Sequence, residues 1–160
     1  MNDQLNTHAE QFEPMIEQIK ELFFEFGIKN LNMDDISRKL GISKKTLYRF
    51  VKNKEDLIAR LLEFERITGE KTSEDISRQN VNAIEKLFEV SLIVYKEMKR
   101  YNPMIMFELR KYYEQQFNEF HTRELAQISQ SMQVNLKQGI EEGLYRADLN
   151  IEAVVALFIN

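Results

Sequence analysis

The stretch from Asp34 to Lys54, DDISRKLGISKKTLYRFVKNK, constrains this chain more than any other. Ile36 and Leu40 lie four apart and share one helix face, while Leu47 and Phe50, three apart, make the inner face of a second helix. Val51 is expected to join that inner face. Gly41 follows the last apolar residue of the first helix, where a glycine can take the left-handed conformation that ends a helix. Ile42 is placed to fill the corner, and Ser37 is small enough to let the two helices approach. Two short helices crossing through such a turn form the DNA-reading arrangement known as helix-turn-helix.

Capping signals agree with this pattern. Asn32 precedes Met33 with Asp35 three residues on, Ser43 precedes Lys44, and Asn53 precedes Lys54 with Asp56 three residues on. Each short polar side chain can accept a hydrogen bond from an otherwise unpartnered helix N–H.

Charge is concentrated in the same place. Between Met33 and Lys54 there are seven basic residues (Arg38, Lys39, Lys44, Lys45, Arg49, Lys52, Lys54) and two acidic ones (Asp34, Asp35), a local net of +5 in a chain of −4. An acidic protein with one basic stripe directs its attraction for phosphate through that stripe. With Leu47 and Phe50 inward, Lys45, Thr46 and Arg49 fall where a recognition helix meets base edges. Arg or Lys suits guanine, and a threonine methyl suits a thymine methyl. Lys44, Tyr48, Lys52 and Lys54 are the candidate phosphate contacts, Lys54 because it opens a further helix. A helical protein-interaction module without sequence-specific DNA binding stays open as the alternative, since fold alone does not fix function.

The segment FFEFGIKNLNMDDISRKLGISKKTLYRFVKNKEDLIARLL resembles the N-terminal domain of the TetR family of bacterial transcription regulators (TetR/AcrR-like). Phe26-Gly27-Ile28 matches the turn after the family's first helix, and Met33 to Ser37 its second helix. Gly41 to Val51, followed by Lys54-Glu55-Asp56-Leu57, matches the recognition helix and the start of the next. The resemblance spans about Ile16 to Leu62. It implies a homodimer that binds double-stranded DNA at an inverted repeat, and a C-terminal helical domain that senses a small molecule, with repression the expected sign. Lys45 departs from the family's usual small residue, Asn32 from its Thr or Ser, and Val51 from a common Phe. The acidic, polar start MNDQLNTHAEQFEPM predicts no minor-groove arm.

The rest of the chain reads as helix. Only five Gly and two Pro occur in 160 residues, which favours an all-α fold. The expected domains are residues 10–65, a three-helix DNA-binding domain with the start of a linking helix, and residues 66–160, an effector-binding and dimerisation domain. Ile16, Ile19, Leu22, Phe23 and Phe26 mark the first helix. The polar stretch Gly69–Asn80 is expected to hold a boundary or loop, with some helix in it. Ile84, Leu87, Phe88, Leu92 and Tyr95 form a stripe, and Asn102-Pro103 marks a stop and a restart. A long helix is expected from Glu114 to Glu142, with Gly143 ending it and Asn150 capping a last apolar run. That run ends at Ile159-Asn160, and a C-terminal truncation is expected. Met104, Phe107, Tyr112 and Phe117 are candidates for an effector pocket.

Several classes are disfavoured. With no cysteine, disulfides and thiolate metal sites are excluded. There is no run of about 18 apolar residues and no signal-peptide pattern, so no membrane partner is expected and the cytoplasm is the default. The chain carries no phosphate loop and no serine elbow. His121 lacks the Glu three residues before it that a di-iron bundle needs, since Asn118 stands there. No enzyme activity, metal or cofactor is expected.

Overall fold

The computed structural model describes the backbone of residues 2–100 and 102–159, and the side chains of residues 12–99 and 102–159. These residues form eight α-helices and no strand: α1 (Asn2–Phe26), α2 (Met33–Lys39), α3 (Lys44–Leu47), α4 (Lys54–Ser77), α5 (Ala83–Arg100), α6 (Pro103–Tyr112), α7 (Glu114–Glu141) and α8 (Ile151–Ile159). The all-α expectation is met. α1 begins well before the apolar periodicity does and runs through Pro14. The expectation of no minor-groove arm rests on side chains that lie mostly outside the described residues.

The chain divides into two compact units. One comprises Met1–Glu65 with Tyr101–Glu119, and the other Arg66–Arg100 with Phe120–Asn160. The first unit therefore takes in α6, where the sequence had assigned all of residues 66–160 to a second domain.

In the first unit, α1 contributes Ile16, Ile19 and Phe23 to a core completed by Ile28, Ile36, Leu47, Val51, Leu57 and Ile58, all at most 2 % exposed. Leu109, Tyr113 and Phe117 are buried in this unit too. Full burial of one such aliphatic side chain contributes about 1.5–3 kcal/mol, so this short-helix unit is held mainly by apolar contact rather than by helix propensity.

In the second unit, α4 continues through Gly69 to Ser77, and the chain breaks only at 78–82. The polar stretch is thus mostly helical. A mid-helix glycine costs about 1 kcal/mol, but burial of Ile76 and a 2.8 Å hydrogen bond between the Ser73 and Ser131 hydroxyls fix the segment. One face of α7 then stitches the break. Asn135 Nδ2 donates to the Ala83 carbonyl (2.8 Å), Gln138 Nε2 to the Val81 carbonyl (3.1 Å), and Glu142, just past the helix end, accepts from the Ala83 N–H (2.8 Å). The spacing of these three residues, 3 and then 4, is that of one helix face. Gly143 has φ +70° just past α7, and the Tyr145 ring lies where a side chain at Gly139 would be. Asn150 caps α8 through the Ala153 N–H at 3.0 Å. The α5 stripe is not buried: Phe88, Tyr95 and Met98 are 65, 56 and 69 % exposed.

Candidate nucleic-acid interface

Local hydrogen bonds build the reader. Asn32 Oδ1 accepts from the Asp34 and Asp35 N–H groups at 2.9 and 3.0 Å, and Asp35 Oδ2 accepts in return from the Asn32 N–H at 3.2 Å. This reciprocal capping box satisfies the first turn of α2. At the other end, the Ile42 N–H donates to the Ser37 carbonyl (3.0 Å) and the Gly41 N–H to the Arg38 carbonyl (3.1 Å), with Gly41 at φ +67°. That is a Schellman close, which requires a left-handed residue at the position Gly41 occupies. Ser37, 4 % exposed, donates its hydroxyl to the Asp34 carbonyl.

The second helix is shorter than the spacing predicts. α3 contains only Lys44–Leu47, followed by tighter turns in which the Arg49 N–H reaches Thr46 O and the Phe50 N–H reaches Leu47 O. A helix of this length has no stability of its own. Three things hold it: the Ser43 hydroxyl, which accepts from the Thr46 N–H at 3.0 Å and lies 2.8 Å from the Thr46 hydroxyl; complete burial of Leu47 and Val51; and a stacked contact between Phe50 and Phe12, centroids 5.5 Å apart. Phe50 is only half-buried, so Val51 is the deeper anchor, and Ile42 and Leu40 are half-buried as well. α4 begins with its own cap, Asn53 Oδ1 accepting from the Asp56 N–H at 2.8 Å, while Asp56 Oδ2 accepts from the Lys52 N–H at 2.8 Å.

With the inner side fixed, the outer side is defined. Lys45, Tyr48, Arg49 and Lys52 are exposed, and Thr46 is half-buried. The segment's two acids engage two of its cations: Asp34 pairs with Lys44, and Asp35 lies 3.4 Å from Arg38. Lys39 sits over the Phe26 ring, 3.4 Å from its centroid. The charge left facing outward is therefore that of Lys45, Arg49 and Lys52.

Lys54 is the main departure from expectation. Its ammonium donates to the carbonyl oxygens of Ile28 and Leu31 and is not presented outward for a phosphate. Burial pulls its pKa below the usual lysine value, opposed by the nearby Glu108, Glu55 and Asp35 carboxylates. Two of its three N–H donors already serve the turn that precedes α2. Spacing within the segment carried no sign of this, because the partners lie 26 and 23 residues away.

The four effector-pocket candidates are not gathered around one space. Met104, Phe107 and Tyr112 are 53, 55 and 43 % exposed, whereas Phe117 is buried in the first unit's core. Phe107 does line an open surface groove of about 500 Å³ on α6, with Pro103, Met106, Arg110 and Lys111. The Tyr112 hydroxyl accepts from Lys29 Nζ at 3.2 Å, and this hydrogen bond holds the phenol below its usual pKa. Glu108, which no local pattern singled out, is buried at 5 % exposure. An acid inside the apolar run PMIMFELRKYY was the only sign of it. Among the described residues, no group of three or more metal-ligating side chains is arranged to hold an ion, and no helix is long and apolar enough to cross a membrane.

Comparison with known proteins agrees with the geometry. Residues 15–61, from the second half of α1 into the first turns of α4, match the family model "Bacterial regulatory proteins, tetR family". No curated protein sequence matches the chain. Among solved structures, the fold is similar to FadR of Bacillus halodurans, a fatty acid degradation regulator (TM-score 0.71, 15 % identity, 92 % of this chain and 77 % of that one). It is similar to the TetR-family regulator PfmR of Thermus thermophilus (0.68, 15 %, 89 % and 79 %). It is also similar to the FadR of Bacillus subtilis solved with stearoyl-CoA (0.63, 22 %, 91 % and 80 %). The N-terminal segment of the chain, residues 15–61, thus resembles the tetR family of bacterial regulatory proteins, and the all-helical fold is similar to that of solved regulators.

Proposed function

We propose that the protein is a transcriptional repressor that reads an inverted-repeat operator as a homodimer and releases it when a small molecule binds. The observation that carries this reading is the division of the α3 segment. Leu47 and Val51 are buried on one side, and Lys45, Tyr48, Arg49 and Lys52 are exposed on the other with no acidic partner among the described residues. In this reading Lys45, Thr46 and Arg49 meet base edges, while Lys44, Tyr48 and Lys52 meet phosphates. Lys54 supports the turn beneath them.

Exposed apolar surface on α5, and on α8 where Leu157 and Phe158 are 83 and 72 % exposed, supports association with a second copy. α4 supports the response: it runs unbroken for 24 residues from Lys54, so a tilt at its far end would change the spacing of two recognition segments from the roughly 34–36 Å of one DNA turn. The Bacillus subtilis neighbour's ligand makes stearoyl-CoA the first effector to try.

The test is duplex affinity against salt. A DNA reader loses affinity with a log–log slope of about −0.9 for each phosphate neutralised. A flat dependence would favour the protein-interaction module.

A further inference from the structure

Glu108 is the one buried acidic side chain among the described residues. It comes from α6, and its partners lie 79 and 80 residues away. Its Oε2 accepts from the Ile28 N–H at 2.6 Å and from the Lys29 N–H at 3.1 Å. These consecutive amides follow Gly27, whose φ is +81°. Successive N–H groups after a left-handed residue form a concave nest that binds anions. The carboxylate lies 3.4 and 3.6 Å from the position of a Cβ at Gly27, so it sits directly against the glycine.

The same turn is held from its other side. Lys54 donates to the carbonyls of Ile28 and Leu31. Leu31 precedes Asn32, the cap of α2, and Lys54 is the first residue of α4, two positions after Lys52. One turn thus takes a carboxylate from α6 on its amides and an ammonium from α4 on its carbonyls, and its last residue leads into the reader. Burying a charge is costly unless it is hydrogen-bonded, and here two backbone amides of the turn satisfy it. Removing the carboxylate would leave those amides without their acceptor.

We propose that Glu108 is a positioning residue for DNA reading. By occupying the Gly27–Lys29 nest, it fixes the α1–α2 turn and, through Asn32 and Lys54, the attitude of the segment Ser43–Lys52, so that α6 and the reader move as one. The effect on DNA rests on the DNA-binding reading above, whereas the linkage itself does not.

The test uses the full chain with Glu108→Ala and Glu108→Gln. The readouts are amide hydrogen exchange at Ile28, Lys29 and residues 43–52, and affinity for a random-sequence duplex at low salt. We expect Glu108→Ala to speed exchange in both places and to weaken duplex binding by about tenfold, the scale set by leaving buried donors unpaired. Sodium formate, which can enter the emptied nest, should restore part of that affinity relative to sodium chloride at equal ionic strength. Packing loss alone would not respond to formate. Glu108→Gln keeps an accepting oxygen without the charge, so it should fall between, and it carries the test if the alanine variant does not fold. Faster exchange confined to Ile28 and Lys29, with residues 43–52 and duplex affinity unchanged, would overturn the proposal. If the wild-type chain binds no duplex, the DNA reading fails, and exchange at residues 43–52 still decides the linkage.

Discussion

Two glycines with equally open surroundings should respond to alanine with opposite signs. A Cβ at Gly41 or at Gly69 would meet nothing within 4 Å, so no steric clash enters either estimate. Gly41 has φ +67° and closes α2, whereas Gly69 lies inside α4. Holding an L-residue in the left-handed region costs roughly 1–2 kcal/mol, and the reduced freedom of the unfolded chain returns about 0.4–1 kcal/mol. Gly41→Ala should therefore destabilise by about 1 kcal/mol. Gly69→Ala should stabilise by about 1 kcal/mol, the helix-propensity difference. Gly41→Asn should lose less than Gly41→Ala, because asparagine visits the left-handed region more readily. Thermal unfolding followed by circular dichroism reads this directly, since 1 kcal/mol moves the midpoint of a domain of 60–100 residues by about 4–8 °C. Gly41→Ala should also weaken duplex binding, because the strained turn aims α3. If both alanine variants shift the midpoint in the same direction, or if asparagine is no better tolerated than alanine at Gly41, backbone conformation is not what the turn selects.

Three further outcomes follow from the interface and from α7. Arg49→Ala should weaken specific duplex binding by about 1–3 kcal/mol while Lys52→Ala lowers the salt slope by about 1, and an equal loss for Arg49→Ala on specific and random DNA would make Arg49 a phosphate contact. Asp34→Asn should release Lys44 from its ion pair and raise duplex affinity with almost no change in stability, because exposed pairs contribute only about 0–1 kcal/mol; duplex titration at two salt concentrations checks the first part and thermal unfolding the second. Glu142 accepts from Gln138 and from the Ala83 N–H, which holds its pKa below the usual carboxylate value. A carboxylate depressed on folding stabilises above its unfolded-state pKa and loses that contribution as pH falls through the folded-state value. Wild type should therefore exceed Glu142→Gln in stability at neutral pH, and the two should converge in acid; urea midpoints across pH measure it.

What the sequence made legible is what its near neighbours determine. The Asn32, Ser43 and Asn53 caps and the Gly41 turn are contacts between residues two to five apart, so side-chain type and spacing expose them. The buried side of the reader was legible for a related reason, since Leu47 and Val51 need only an apolar neighbour. Lys54 and Glu108 were not, because their partners are backbone groups of a distant turn, which leave no trace in side-chain spacing. The length of α4 was masked by Gly69, Thr72 and Ser73, poor helix formers whose cost is offset by packing in the second unit. The short α3 was overestimated because Phe50 and Val51 continue an apolar period after the backbone has tightened. The pocket candidates were apolar residues on neighbouring turns, and periodicity does not say that Phe117 goes into a core while Met104 and Phe107 stay outside.

The most direct test of the central claim is selection of bound duplexes from a random DNA pool by the folded protein. The account predicts enrichment of an inverted repeat whose half-sites lie about one helical turn apart, with the enrichment lost on Arg49→Ala. A folded protein that enriches no sequence would contradict it.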